Sequence, residues 1–343
     1  MIKKIMAMAL MMSVCFAVCF SSGAMAADKF RIAWSHYTGW EPWEFARHSG
    51  ILDKWAKANG IEIQLDLIND YIESINLYTA GTYQGCVMTN MDALTIPAVG
   101  GVDSTALIIG DFSNGNDGIV MKNGAKAADL KGREVKLVEL SVSHYLLARA
   151  LEKNNLTERD LKIINTSDAD IAALFASDPN GAVVTWNPPL MQCRNVKGAN
   201  LVFDSSQIPG EIIDLMVVRT NTPDTLKKAL TGAWYETMSL MSDKSKTSKE
   251  AIDYMAKFAG GTEAEFRAQL RTTSMFYKAA EAVEFAKSEK LKETMEYVRS
   301  FCFNHGLYGD ASSKDFVGIQ FPDGKIMGDK SNVKLRFDAS FMQ

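Results

Sequence analysis

The sequence predicts an α/β fold of two doubly wound lobes, the second inserted into the first and joined to it by two crossings of the chain. Three observations lead there. From Phe30 onward, short apolar runs alternate with helix-length amphipathic segments, as in repeated βα units. Two turn-rich stretches, Gly110-Asp-Phe-Ser-Asn-Gly-Asn-Asp117 and Pro209-Gly-Glu-Ile-Ile-Asp214, bracket the middle block, so the chain leaves one unit and later returns to it. The roughly 315 residues left after the N-terminal export address also suit two domains better than one. The boundaries read as 27–114 plus 213–343 for the first lobe and 115–212 for the second.

Each element follows from local pattern. Lys29–Ala33 reads as a strand around the apolar run Phe30–Ala33, ended by the breakers Gly39 and Pro42, and Glu44–Trp55 has helical spacing. Ile61–Leu67 alternates apolar and polar residues as a strand does, Tyr71–Thr79 is helical, and Cys86–Thr89 is a short strand ending in the polar cluster Asn90-Met-Asp92. Ala106–Ile109 is a buried strand that leads into the first crossing. In the second lobe, Val135–Val138, Leu161–Asn165, Gly181–Thr185 and Leu201–Phe203 read as strands. The helices there are Tyr145–Lys153, with Ser141 or Ser143 as N-cap, and Ser167–Phe175. Leu215–Val218 rejoins the first lobe. Leu226–Ser242, Lys249–Ala259, Glu263–Leu270 and Glu284–His305 then have helical spacing, and Pro322-Asp-Gly324 marks a small hairpin.

The N-terminus reads as a removable export address. Lys3 and Lys4 precede the apolar run Ile5–Phe20, and Ala24-Met25-Ala26 offers a small-x-small cleavage site. The run is too short for a stable membrane span. Cys15 and Cys19 lack the small residues of a lipoprotein cleavage box, so a soluble exported protein is expected, in the periplasm. Removing Lys3 and Lys4 takes the 37 basic residues to 35 against 41 acidic ones, a net charge of about −6. That balance argues against a nucleic-acid partner. Cys86, Cys193 and Cys302 then remain, without Cys-x-x-Cys spacing, and read as buried thiols, although one bridge is open to them.

The functional signal lies at strand ends. In open α/β sheets ligands bind outside the carboxyl ends of the strands. The loop Trp34-Ser-His-Tyr-Thr-Gly-Trp-Glu-Pro-Trp43 stands at such a place and concentrates Trp34, Tyr37, Trp40, Glu41 and Trp43. Any one of these Trp could equally be core packing. Six segments fall at the expected cleft: 34–46, 88–95, 110–118, 139–145, 184–191 and 207–214. Together they carry Glu41, Glu44, Asp92, Asp111, Asp117, Glu139, Glu211 and Asp214 and not one Lys or Arg. An oxyanion normally draws a basic side chain, although helix N-termini can hold one. Carboxylates with aromatic faces suit a small flat cation or a donor-rich neutral molecule. The acceptors proposed from sequence are Glu41, Asp92, Glu211 and Asp214. The faces are Trp34, Trp43 and Trp186, with Tyr37 as face or hydroxyl, and Asn90 and Asn187 supply carbonyls. Ser141 is a helix start that could touch ligand or simply cap. Asp111 and Asp117 read as shaping the crossing turn, and Glu44 and Glu139 as structural. His36 and His144 stand alone in sequence, so no metal or cofactor is expected.

Several stretches come in a familiar order: Asp111-x-Ser113-x-Gly115-x-Asp117, Asp129-Leu-Lys-Gly132, the helix start at Ser141, Val184-Thr-Trp-Asn-Pro188 and Ile208-Pro-Gly-x-x-x-Asp214. That set resembles the periplasmic substrate-binding proteins (type II) of ABC importers for nitrate, sulfonates and taurine, over nearly all of the chain beyond the export address. The loop Tyr37-Thr-Gly-Trp-Glu-Pro-Trp43 is similar to the urea-carboxylase-associated branch. The resemblance implies lobe closure around guanidinium, with urea or taurine as alternatives, delivery to an inner-membrane ABC permease, and a monomer. The same fold serves thiamine-pyrimidine synthases, but this chain has no Cys-rich segment like theirs, so a non-enzymatic role is expected.

Overall fold

Residues 27–342, residue 244 apart, are described by a computed structural model, and the expected export address lies outside them. The apolar runs become strands, and the periodic segments between them become helices packed on the sheets. The first part of the chain gives β1 (Asp28–Trp34), α1 (Glu41–His48), α2 (Ile51–Ala58), β2 (Ile61–Leu67), α3 (Tyr71–Thr79), β3 (Gly85–Thr89), α4 (Asn90–Ala93) and β4 (Ser104–Ser113). The middle gives β5 (Asp117–Lys122), β6 (Glu134–Leu137), α5 (Val142–Lys153), β7 (Lys162–Asn165), α6 (Asp168–Ser177), β8 (Ala182–Trp186), α7 (Pro189–Arg194) and β9 (Ala199–Asp204). The last part gives β10 (Ile213–Arg219), α8 (Asp224–Ser242), α9 (Lys246–Phe258), α10 (Glu263–Leu270), β11 (Thr273–Met275), α11 (Ala279–Lys287) and α12 (Glu289–Asn304). It ends in β12 (Gly318–Gln320), β13 (Ile326–Met327) and β14 (Val333–Phe337).

Two sheets result. One has nine strands in the order β13-β12-β14-β4-β10-β3-β1-β2, with β11 beside β4; the other has five, β7-β6-β8-β5-β9. β1 runs parallel to β2 and β3, whereas the returning strand β10 is antiparallel to both β3 and β4. β5 is likewise antiparallel to β8 and β9.

Three sequence expectations change. The helix expected over Glu44–Trp55 is two helices, broken where Gly50 takes a φ of 77°, a conformation that favours glycine. The helix expected over Glu284–His305 is also two. Ser288 ends α11 and turns its hydroxyl to the Leu291 N–H at 3.3 Å, capping α12. The first crossing is shorter than 110–117. β4 continues to Ser113, whose N–H still reaches the Ile212 carbonyl at 2.9 Å, so only residues 114–116 turn. The strands β11 and β14 were not legible because they are short and lean on β4 for their pairing.

Candidate ligand site between the two sheets

Strand register builds the site. β10 is the return strand of the second crossing, and its Asp214 lies opposite Thr89 of β3 on one side and Asp111 of β4 on the other. On the five-stranded sheet, Asp117 opens β5 opposite Trp186, the last residue of β8. The crossings run side by side: the Ser113 and Ser205 hydroxyls are 2.7 Å apart, and the Gly115 N–H donates to Ser205 Oγ at 2.7 Å. Two carboxylates from the nine-stranded sheet and one from the five-stranded sheet therefore meet where the chain passes between them.

The loop after β1 closes over them. The Tyr37 hydroxyl donates to Asp111 Oδ1 at 3.0 Å. Gly39 lies so close that a Cβ there would stand 2.3 Å from Asp111 Oδ2, so no larger residue fits without moving the carboxylate. Aromatic rings continue the wall: Tyr37 to Trp40 at 5.0 Å between centroids, Trp40 to Tyr71 at 5.5 Å, and Tyr71 to Trp186 at 5.5 Å. Trp186 Nε1 donates to the His36 carbonyl at 3.2 Å and so ties the two lobes at the rim. The cavity enclosed by Tyr37, Trp40, Tyr71, Asp117, Trp186 and Asp214 has a volume of about 10 Å³, the scale of roughly one water-sized sphere. A larger groove over Lys29, Arg47, Asp53 and Glu62 is open, and its charged lining is exposed.

The electrostatics are one-sided. Asp111, Asp117 and Asp214 are at most 2 % exposed, and each keeps one oxygen without a hydrogen-bond partner. No Lys or Arg lines the cavity among the described residues. Burial pushes the Asp111 and Asp117 carboxyls up to about 7. Burial, together with the neighbouring Asp111 and Asp117 charges, raises Asp214 well above the carboxylate range. Several kcal/mol is the usual order of cost for each uncompensated buried ion. The cluster therefore holds protons unless a cation joins it.

The other residues singled out from sequence take different places. Trp34 stacks on Phe258 and Trp43 on Trp234, both as core. Glu41 is buried and accepts from His36 Nδ1 at 2.7 Å. Asp92 receives the Tyr71 hydroxyl at 2.6 Å and Thr89 Oγ1 at 2.8 Å, fixing the Tyr71 ring from behind. Asn90 donates to the Glu211 carbonyl and accepts from the Ile213 N–H, holding the second crossing. Glu211 is engaged by Tyr145 and Arg149. Asn187 pairs with Asn116 through side chain and backbone. Ser141 caps α5, accepting the Ser143 N–H at 3.2 Å, a contact worth ~1 kcal/mol. Of the residues proposed from sequence, Tyr37, Trp40, Trp186 and Asp214 line the cavity; Tyr71, Thr89 and Asp117 join them there, and Asp111 stands directly behind. Asp111 and Asp117 read as turn residues in sequence; the register of β4 against β10 sets Asp111 beside Asp214, and that of β5 against β8 sets Asp117 opposite Trp186.

Cys86, Cys193 and Cys302 are buried free thiols. Burial pushes the Cys86 and Cys193 thiols up to about 12, which leaves them unreactive at neutral pH.

No family model matches the chain, and no curated protein matches it. Solved structures do. The alkanesulfonate-binding protein SsuA from Xanthomonas axonopodis pv. citri, bound to MOPS, superposes with a TM-score of 0.67 at 15 % identity, over 83 % of this chain and 96 % of that one. The periplasmic aliphatic sulphonate binding protein SsuA from Escherichia coli gives 0.66 at 16 % identity, over 83 % and 95 %. The chain has the periplasmic binding protein fold. That fold is not confined to binding proteins, since the desulfurization enzyme DSZB also superposes, with a TM-score of 0.56 at 14 % identity over 83 % and 95 %. Identities this low speak to architecture, so the ligand has to be argued from the cavity itself.

Proposed function

We propose that this chain is the periplasmic solute-binding component of an ABC importer, and that it captures guanidinium by closure of its lobes and delivers it, as a monomer, to a permease in the inner membrane. One observation carries the ligand class: Asp111, Asp117 and Asp214 converge, buried and without a basic partner among the described residues, beside an aromatic wall. Guanidinium offers planar N–H donors to carboxylates and a π surface to Tyr and Trp. The small cavity favours a ligand of few atoms. A sulfonate of the kind named for the SsuA proteins would meet three carboxylates with no cation to offset them. Urea shares guanidinium's size and planarity but brings no charge. Taurine brings an ammonium but also a sulfonate.

Guanidinium has four heavy atoms, and at about 1.5 kcal/mol per atom its affinity would lie near −6 kcal/mol, or tens of micromolar. Calorimetric titration of the purified protein with guanidinium, urea, taurine and an alkanesulfonate tests the reading. Saturable binding of guanidinium at one site, at least tenfold tighter than the others, is expected. Binding of the sulfonate with no heat from guanidinium would overturn it.

A further inference from the structure

Away from the cavity the fold joins three side chains that are distant in sequence. His144 is on the first turn of α5, Glu158 lies in the short 3₁₀ turn before β7, and His305 immediately follows α12. His144 Nε2 is 3.1 Å from Glu158 Oε1, and His305 Nε2 is 2.8 Å from that same oxygen. One ligating atom from each residue lies within 4.8 Å of the other two. His144, alone in sequence, is not alone in the structure.

We propose that His144, Glu158 and His305 form a binding site for a divalent transition-metal ion, with Zn²⁺ as the type ion. Two imidazoles and one carboxylate are a ligand set that suits Zn²⁺, with a fourth position for water. The groups around these three residues support it from one side. His305 Nδ1 is 2.8 Å from the Phe301 carbonyl, and donating to it fixes the ring and leaves Nε2 for the metal. Phe301 also packs against both imidazoles, with centroids 5.9 Å from His144 and 4.0 Å from His305, and shields one flank. The other flank opens on a groove lined by Leu151, Thr157 and Arg159, through which an ion and its water can enter. Exposure is graded to match: the His144 side chain is 4 % exposed, His305 24 % and Glu158 31 %.

One local bond has to yield. His144 Nδ1 accepts the Leu140 N–H at 3.1 Å, which places the ring proton on Nε2. Metal binding at Nε2 moves that proton to Nδ1 and releases the Leu140 amide to water, which is at hand because Leu140 is 45 % exposed. The bound ion would then fasten the end of α12 to the five-stranded lobe.

The test uses the full mature protein freed of metal by chelation and titrated with Co²⁺, Zn²⁺ and, as control, Mg²⁺. Expected are one equivalent of Co²⁺ with visible ligand-field absorption, its displacement by Zn²⁺, and no response to Mg²⁺. His305→Ala and Glu158→Gln, both checked for folding by circular dichroism, should each weaken Zn²⁺ binding at least as much as losing a group that only orients a ligand, on the order of 100-fold or more. No saturable equivalent in the wild type overturns the site, as does Zn²⁺ affinity unchanged in both variants, which would mark an adventitious ion.

Discussion

Two groups of buried carboxylates in this molecule invite comparison. Glu211, 6 % exposed, receives the Tyr145 hydroxyl at 2.6 Å and Arg149 through Nε at 2.9 Å and Nη2 at 3.2 Å. Its charge is neutralised by the chain itself, and it holds α5 against the second crossing. Asp111, Asp117 and Asp214 are buried more deeply and, among the described residues, meet only neutral donors such as Tyr37 and Ser113. An acid with a built-in cation is part of the structure, whereas under the proposed function the acids without one take their cation from the ligand. The two groups are three residues apart at Glu211 and Asp214, so local composition does not separate them.

The largest expected way to break the comparison is pH. The cavity carboxyls are raised in the folded state, with Asp111 and Asp117 at about 7. Protonation competes with the cation, so guanidinium affinity should fall on the order of 100-fold from pH 8 to pH 5, a factor of ten per unit for one proton below that value. The stability of the ligand-free protein runs the other way. Raised carboxyls contribute stability that is fully present below their unfolded value near 4 and is lost as pH rises through about 7. Its melting temperature should therefore decline across that window, and the gain on adding guanidinium should be larger at pH 8 than at pH 5. A pH-independent affinity would show that no carboxylate charge is used in binding.

Next in size is Asp214→Asn. Losing one charge-assisted acceptor should weaken guanidinium binding by about 2 kcal/mol, roughly 30-fold. The ligand-free protein should gain about 1 kcal/mol at neutral pH, because folding no longer has to protonate a buried carboxyl at that position. Calorimetry and denaturant unfolding read the two effects, and opposite signs are the expected signature. Smallest is Arg149→Met on the other side of the comparison. It should destabilise the fold by about 2 kcal/mol, less than for a fully buried pair because Arg149 is 18 % exposed. Guanidinium affinity should change less than about twofold, since the Arg149–Glu211 pair lies outside the cavity. A large loss of affinity in that variant would join the two groups into one electrostatic unit.

The tryptophans show how far the sequence could be read. Trp34, Trp40 and Trp43 sit within ten residues and looked alike, yet Trp40 faces the cavity while Trp34 and Trp43 stack into the core. Trp34 ends β1 and Trp43 lies on the first turn of α1, so each inherits the buried face of its element. Side-chain direction follows from the element's packing face, which composition does not record. Asp111 illustrates the converse. It reads as a turn residue in sequence and becomes a site residue because a bulged register sets it against Asp214.

By itself the sequence determined the alternation of strands and helices, the two crossings, the cap at Ser141 and a cleft with acids but no basic side chains. Those features rest on periodicity, turn chemistry and charge, which act over a few residues. Tertiary structure alone decided that Asp111, Asp117 and Asp214 would meet, that Glu211 would find Arg149, and that His305 would reach His144. Each of these pairings spans a sheet register or a helix contact between distant stretches of chain. A side chain's partner there is set by which faces pack together, not by its neighbours in sequence.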